Sequence, residues 1–266
     1  MLGNELNLFV LEGAWAEGKM IDSLERHFFG DRFAVRCVYD AEIYQLYKQL
    51  KADDFALDIV NVLKERSPEN AEILRRYNRD SFAGVYLFFD YDGHSTLADD
   101  EKLVEMLSFF DNETENGLLY VSYPMVEAIR HYRDMDSFKS LIVKCKRDKC
   151  PFLPCCTEKE VCLKEPHYKT WVSQDSRPQL SNLNKYNFEI WKELIEAHLC
   201  KMNDLVYGGF VIPDKIVSQL EVFNKQLEKY ISKKCPSVSV LSAFPMFVLD
   251  YYGCKMTASK LGKSLE

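Results

Sequence analysis

The sequence predicts an α/β fold in which a mostly parallel sheet is flanked by helices and followed by a mainly helical C-terminal region. Short apolar runs alternate with segments of helical apolar spacing over roughly the first half of the chain, as in parallel α/β sheets. The chain has 266 residues, of which 47% are hydrophobic and 28% are charged, as in globular proteins with a sizeable core. At roughly 150 residues per domain, this length allows one large domain or two small ones.

Four apolar runs are predicted to be strands. The first covers residues 7–11 and ends at Glu12, and the second covers residues 33–39. Residues 85–89 form the clearest of the four, because an unbroken apolar run is typical of a strand buried on both faces. The fourth covers residues 118–122.

Helical apolar spacing separates these strands. One helix is predicted after the first strand, and residues 41–79 continue the helical spacing after the second. Within that stretch Ser67 breaks the pattern, and Pro68 is typical of the first position of a new helix. Further helices are predicted at residues 101–110 and after Pro124.

The pattern changes after about residue 140, where cysteines and prolines replace the regular periodicity. Helices are then predicted at residues 186–207 and 215–233, followed by an apolar segment over residues 237–252. We therefore divide the chain into an α/β domain at residues 1–140 and a second region at residues 141–266, which joins a Cys-containing loop to helices.

The charge is distributed unevenly along the chain, whose net charge is −7. Residues 1–120 contain 12 basic and 24 acidic residues, whereas residues 121–266 contain 22 basic and 17 acidic residues. An acidic part joined to a basic part can bring a metal site next to a phosphate-binding surface. The alternative is that both parts are ordinary solvated faces.

No feature of the sequence predicts export or membrane insertion. No apolar run approaches the roughly 18 residues of a spanning helix, and the N-terminus lacks the basic and apolar regions of a signal peptide. We therefore expect a cytoplasmic protein without a membrane partner. Its nine cysteines are then expected to be reduced thiols.

Acidic residues follow the predicted strands. Glu12 closes the first strand, Asp90 and Asp92 close the third, and Glu127 begins the helix after the fourth. Ligands of parallel sheets bind at the carboxyl ends of the strands, and carboxylates suit Mg²⁺. If the chain is still extended at Asp90 and Asp92, their side chains face the same side. Gly93 would allow a tight turn there, so a simple strand-ending turn is the alternative.

The segments at residues 8–13 and 87–92 resemble a Toprim (topoisomerase–primase) domain. That family has a Glu after its first strand and an Asp-x-Asp after a later strand, which bind Mg²⁺ for phosphodiester chemistry. The Glu-Gly-x-x-x-Glu of residues 12–17 is similar to Toprim-like proteins of bacterial abortive-infection and phage-defence systems. The resemblance covers residues 6–135 and implies a helical insertion at about residues 41–79.

The resemblance implies a nuclease that uses Mg²⁺ or Mn²⁺ on DNA or RNA in antiviral defence. Glu12 would act as a general acid/base or a metal ligand, and Asp90 and Asp92 would be ligands. Assigning Glu127 to the same metal is an inference from its position alone. A phosphate-binding loop of the Gly-x-x-x-x-Gly-Lys type is not present in the sequence, so an ATPase or regulatory partner would be a separate chain. A homo-oligomer is a further partner hypothesis.

Two other functions fit the same residues. Residues 88–93 also resemble the first motif of haloacid-dehalogenase-type phosphatases, in which Asp90 would be the nucleophile and Asp92 the general acid/base. That interpretation leaves Glu12 unexplained. The second alternative is a non-catalytic Toprim-like partner of a defence ATPase, although buried carboxylates without a use are costly.

Basic residues crowd the stretch that follows the fourth strand. They are predicted to contact a nucleic-acid backbone, and the alternative is a solvated helix face. The set is Arg130, Arg133, Lys144, Lys146 and Arg147.

Cysteines and a histidine in the next stretch are numerous enough for a zinc site. Their spacing matches no Cys-x2-Cys knuckle, which favours reduced thiols without metal over zinc. The candidate zinc ligands are Cys145, Cys150, Cys155 and Cys162.

Overall fold

A computed structural model describes residues 6–29, 34–146, 157 and 167–264. The chain forms two compact units. The first comprises Met1–Asp90 and Asp99–Val121, and the second comprises Tyr91–Ala98 and Ser122–Glu266. This division lies earlier than the sequence-based boundary near residue 140, because the segment after Val121 pairs with distant parts of the second unit.

The first unit contains a five-stranded sheet with the order β2-β1-β3-β5-β4. β1 pairs in parallel with both β2 and β3, and β4 pairs antiparallel with β5. The predicted α/β class with a mostly parallel sheet is therefore confirmed. The strands are β1 (Asn7–Leu11), β2 (Ala34–Val38), β3 (Gly84–Asp90), β4 (Asp111–Asn112) and β5 (Gly117–Ser122).

The centre of the sheet is the core of the first unit. All seven residues of β3 are buried, as expected for a strand covered on both faces. Leu8 and Val10 of β1 and Val85 and Leu87 of β3 are fully buried. This core fixes the carboxyl ends of β1 and β3 next to each other.

The described part of the first unit contains five α-helices, which lie between the strands along the chain. Within residues 41–79, where helical spacing is predicted, the chain forms three separate α-helices, and the last of them does start at Pro68. Asp58 and Ser67 cap the two helices on either side of the break, because their side-chain oxygens accept hydrogen bonds from backbone N–H groups of the first turn. The helices are α1 (Ala16–Leu24), α2 (Ile43–Lys51), α3 (Ile59–Arg66), α4 (Pro68–Ile73) and α5 (Asp100–Phe109).

The second unit is mainly helical, as predicted. Its two-stranded sheet pairs β6 (Ile142–Lys144) with β7 (Ser237–Ser239) in antiparallel orientation, and Tyr123 forms a further bridge to Leu241. Trp191 of this unit is fully buried. Its α-helices are α6 (Met135–Lys139), α7 (Tyr168–Asp175), α8 (Phe188–Tyr207), α9 (Gln219–Gln226) and α10 (Ala243–Lys260). None of the described helices combines the length and hydropathy needed to cross a membrane.

Candidate metal centre

Glu12 is held at the carboxyl end of β1 by the ladder on both sides. Its N–H donates to the Phe88 carbonyl oxygen at 3.0 Å, and its own carbonyl accepts from the Asp40 N–H at 3.0 Å. The Glu12 side chain also crosses to β3, where Oε2 accepts a hydrogen bond from the Asp90 N–H at 2.9 Å. The predicted first residue of the site is thus fixed by three contacts.

Asp92 follows Asp90 by two residues, and the chain turns between them. Asp92 has φ +43°, in the left-handed region, so the expectation of an extended Asp-x-Asp is not met. Aspartate tolerates this conformation better than most residues. The Asp92 carbonyl then accepts from the Ser95 N–H at 2.8 Å, which closes the turn.

Glycine at position 93 allows close packing and is not needed for a left-handed backbone conformation. The positive φ lies at Asp92, and Gly93 is not among the described glycines with positive φ. A Cβ at Gly93 would lie 2.6 Å from Cε1 of Tyr91 and 3.1 Å from the carbonyl oxygen of Cys145. Glycine is required because two parts of the second unit approach closely there.

The turn brings three carboxylates together despite its unexpected geometry. One carboxylate oxygen from each of Glu12, Asp90 and Asp92 lies within 4.8 Å of the others. Asp90 and Asp92 are only 6% and 8% exposed, and Glu12 is half-buried. Like charges this close repel one another unless a cation or a proton compensates them. A set of three hard oxygen donors fits Mg²⁺ or Mn²⁺.

Glu17 supports the loop that carries Glu12. It is buried on α1, and its Oε1 accepts a hydrogen bond from the Gly13 N–H at 3.3 Å. This hydrogen bond ties the loop that follows Glu12 to the first turn of α1. The sequence contains the spacing of Glu17 relative to Glu12 but does not reveal that the Glu17 side chain contacts the backbone of Gly13.

Glu127 lies on a 3-10 helix, Val126–Arg130, rather than on the predicted α-helix. Its Oε1 lies 3.8 Å from Nη2 of Arg130 and 3.8 Å from Nζ of Lys169, and both cations belong to the second unit. Among the described residues, the carboxylate cluster comprises Glu12, Asp90 and Asp92. The two cations compensate the buried charge of Glu127 in part, and its Oε2 has no hydrogen-bond partner among the described residues.

The predicted basic surface is partly neutralised within the second unit. Arg130 pairs with Glu127, and Arg133 forms an ion pair with Asp175. Lys144 lies on β6, and Lys146 follows shortly after it. Arg147 lies outside the described residues.

The candidate zinc ligands fall mostly outside the described part of the chain. Cys145 is buried beside Gly93, whereas Cys150, Cys155 and Cys162 are not described. Burial raises the pKa of Cys37 and of Cys200 to about 12, which keeps both as neutral thiols.

Comparisons with protein families, curated proteins and solved structures find no match to this chain. The carboxylate cluster and the parallel sheet that positions it are therefore the observations on which a function can be argued.

Proposed function

We propose that this protein is a Mg²⁺- or Mn²⁺-dependent nuclease that hydrolyses phosphodiester bonds in DNA or RNA. The observation that carries the proposal is the approach of Glu12, Asp90 and Asp92 to within 4.8 Å at the carboxyl end of a parallel sheet. Two of these carboxylates are buried, and a divalent cation would compensate their repulsion.

The residues divide into two roles under this proposal. Asp90 and Asp92 would hold the metal, which supplies Lewis-acid stabilisation of charge on the phosphate. Glu12 would be a ligand or the general acid/base, and its hydrogen bond from the Asp90 N–H fixes its carboxylate orientation. Glu17 would be a positioning residue that acts through the loop.

The phosphatase alternative uses only part of this arrangement. It assigns Asp90 as nucleophile and Asp92 as acid/base, and predicts that an aspartyl-phosphate can be trapped at Asp90. Ser122, which could imitate the second motif of that family, accepts a hydrogen bond from the Ala243 N–H at 3.3 Å and so serves the start of α10. The inclusion of Glu12 in the cluster favours the nuclease.

The proposed cellular role is cytoplasmic antiviral defence with an ATPase or regulatory partner, and it rests on the Toprim resemblance. Co-purification of the native complex would test it. A chain that cleaves without restraint when isolated would contradict regulation by a partner.

The function is tested by cleavage of mixed DNA and RNA substrates with Mg²⁺ or Mn²⁺. Glu12→Gln and Asp92→Asn are expected to lower the rate by about a thousandfold or more, since each removes a charge that the metal requires. Glu127→Gln is the matched control, a buried acid outside the cluster, and is expected to stay within about threefold of wild type. Equal rates in all four proteins would contradict the proposal, as would turnover of small phosphoesters alone.

A further inference from the structure

Trp15 is unusually exposed for a tryptophan. It is 66% exposed, the highest value among the large hydrophobic residues of the described chain. Of the three tryptophans, Trp191 is fully buried and Trp171 is half-buried. Tryptophan is highly buried on average and is enriched where proteins bind ligands, so this exposure points to a contact outside the chain.

Trp15 lies on the loop that carries the first carboxylate. Two residues lie between it and Glu12, and at about 3.8 Å for each of the three Cα steps the two Cα atoms are at most about 11 Å apart. The loop is held by the Gly13 hydrogen bond to Glu17, and the Trp15 carbonyl accepts from the Lys19 N–H at 3.3 Å. The indole is therefore presented on a fixed element.

One helix face carries the Trp15 indole, the open surface at Gly18 and the Lys19 ammonium. Residues three and four positions apart share a helix face, which places Gly18 and Lys19 beside Trp15. The Lys19 Nζ lies 4.1 Å from the centre of the indole ring. A Cβ added at Gly18 would meet no heavy atom within 4 Å apart from its chain neighbours and the backbone of its own helix, so the surface at Gly18 is open.

We propose that Trp15 is a base-stacking residue and that the substrate is a single-stranded or locally unpaired nucleic acid. An aromatic ring stacks on any base, whereas the bases of a duplex are already stacked on their neighbours. The Lys19 ammonium provides the positive charge for the adjoining phosphate. This inference rests on the proposed nuclease function and narrows its substrate class.

Binding tests this inference without any cleavage. A fluorescently labelled oligothymidylate is titrated in EDTA against the full chain, and the same strand is titrated as a duplex. Trp15→Ala is expected to weaken single-strand binding about ten- to a hundredfold. Gly18→Leu is expected to weaken it by a similar factor, because the larger side chain would occupy the open surface on the same helix face. Met256→Ala, which truncates another exposed apolar residue, is the matched control and should bind as wild type does.

Tryptophan fluorescence gives a second readout. In a Trp171→Phe background, the single strand should quench the emission of Trp15, while the buried Trp191 is unaffected. Single-strand affinity of Trp15→Ala within twofold of wild type, equal affinity for duplex, or no binding to wild type would each overturn the inference.

The two proposals fail separately. Cleavage that needs Glu12 but is unchanged in Trp15→Ala would overturn the stacking role and leave the nuclease intact. Quenching of Trp15 by single strands, without cleavage under any metal, would overturn the nuclease and leave the binding role.

Discussion

Two regions of the molecule bury charge in opposite ways, namely the carboxylate cluster and the surroundings of Glu127 and Lys201. The sheet edge of the first unit and the turn that follows β3 gather carboxylates of one sign, with oxygens of Glu12, Asp90 and Asp92 within 4.8 Å of one another. At two other buried positions of the second unit, charged groups lie next to groups of matching polarity. There Glu127 faces two cations, and Lys201 donates from Nζ to the carbonyl oxygens of Phe138, at 2.7 Å, and of Leu141.

The two arrangements of buried charge have different consequences for function and for stability. Gathered like charges destabilise a protein and are retained where a ligand compensates them. Matched polar groups stabilise one arrangement of the chain and are destabilising to break. Neutralising a carboxylate of the cluster should therefore remove the proposed activity but not stability, whereas truncating Lys201 should lower the free energy of unfolding.

The largest stability effect is expected at Lys201, whose side chain is 1% exposed. Lys201→Ala would remove one hydrogen bond from each of two carbonyl oxygens, which keep their backbone N–H donors, and would open a cavity beside the Phe138 ring, whose centre lies 4.3 Å from Nζ. We expect a loss of about 3 kcal/mol in the free energy of unfolding, measured in urea. Lys225→Ala, which breaks an exposed ion pair with Glu228, is the control and should stay close to wild type. A similar result for both variants would contradict the stabilising role of Lys201 and remove the contrast with the carboxylate cluster.

A smaller effect is expected from pH at His198. Burial lowers its pKa to about 3, and Nδ1 accepts a hydrogen bond from the Ser242 N–H at 3.1 Å. Because the unfolded histidine titrates near 6.5, the folded state loses stability as pH falls from about 6.5 towards 3. We expect a loss of about 2 kcal/mol between pH 7 and 4.5, reduced in His198→Asn, which keeps an acceptor without the titration. Identical pH profiles for the two proteins would show that another group is responsible.

Much of the fold could be predicted because its determinants are local. The apolar run at residues 85–89 identified the central strand, and Pro68 identified the start of a helix. The pairing of β6 with β7 could not be predicted, since both strands have only three residues and about 90 residues separate them. Strand pairing at that separation depends on packing of the whole unit.

The site was predictable to a similar extent. Glu12, Asp90 and Asp92 could be selected because carboxyl ends of parallel strands meet at one edge. The left-handed turn at Asp92 was not predicted, because the sequence pointed to Gly93 for that role. The partner of Glu127 was also missed, since Lys169 comes from a helix 42 residues later in the chain.

The most direct test of the central claim is the free energy of unfolding of wild type and Asp92→Asn, each in EDTA and in excess Mg²⁺. Asparagine also tolerates the left-handed conformation, so this variant removes the charge and keeps the turn. We predict that Mg²⁺ at a hundred times its Kd stabilises wild type by about 2.7 kcal/mol and leaves Asp92→Asn unchanged. In EDTA the variant should be at least as stable as wild type. Equal stabilisation of both proteins by Mg²⁺, or of neither, would contradict a metal site at Glu12, Asp90 and Asp92.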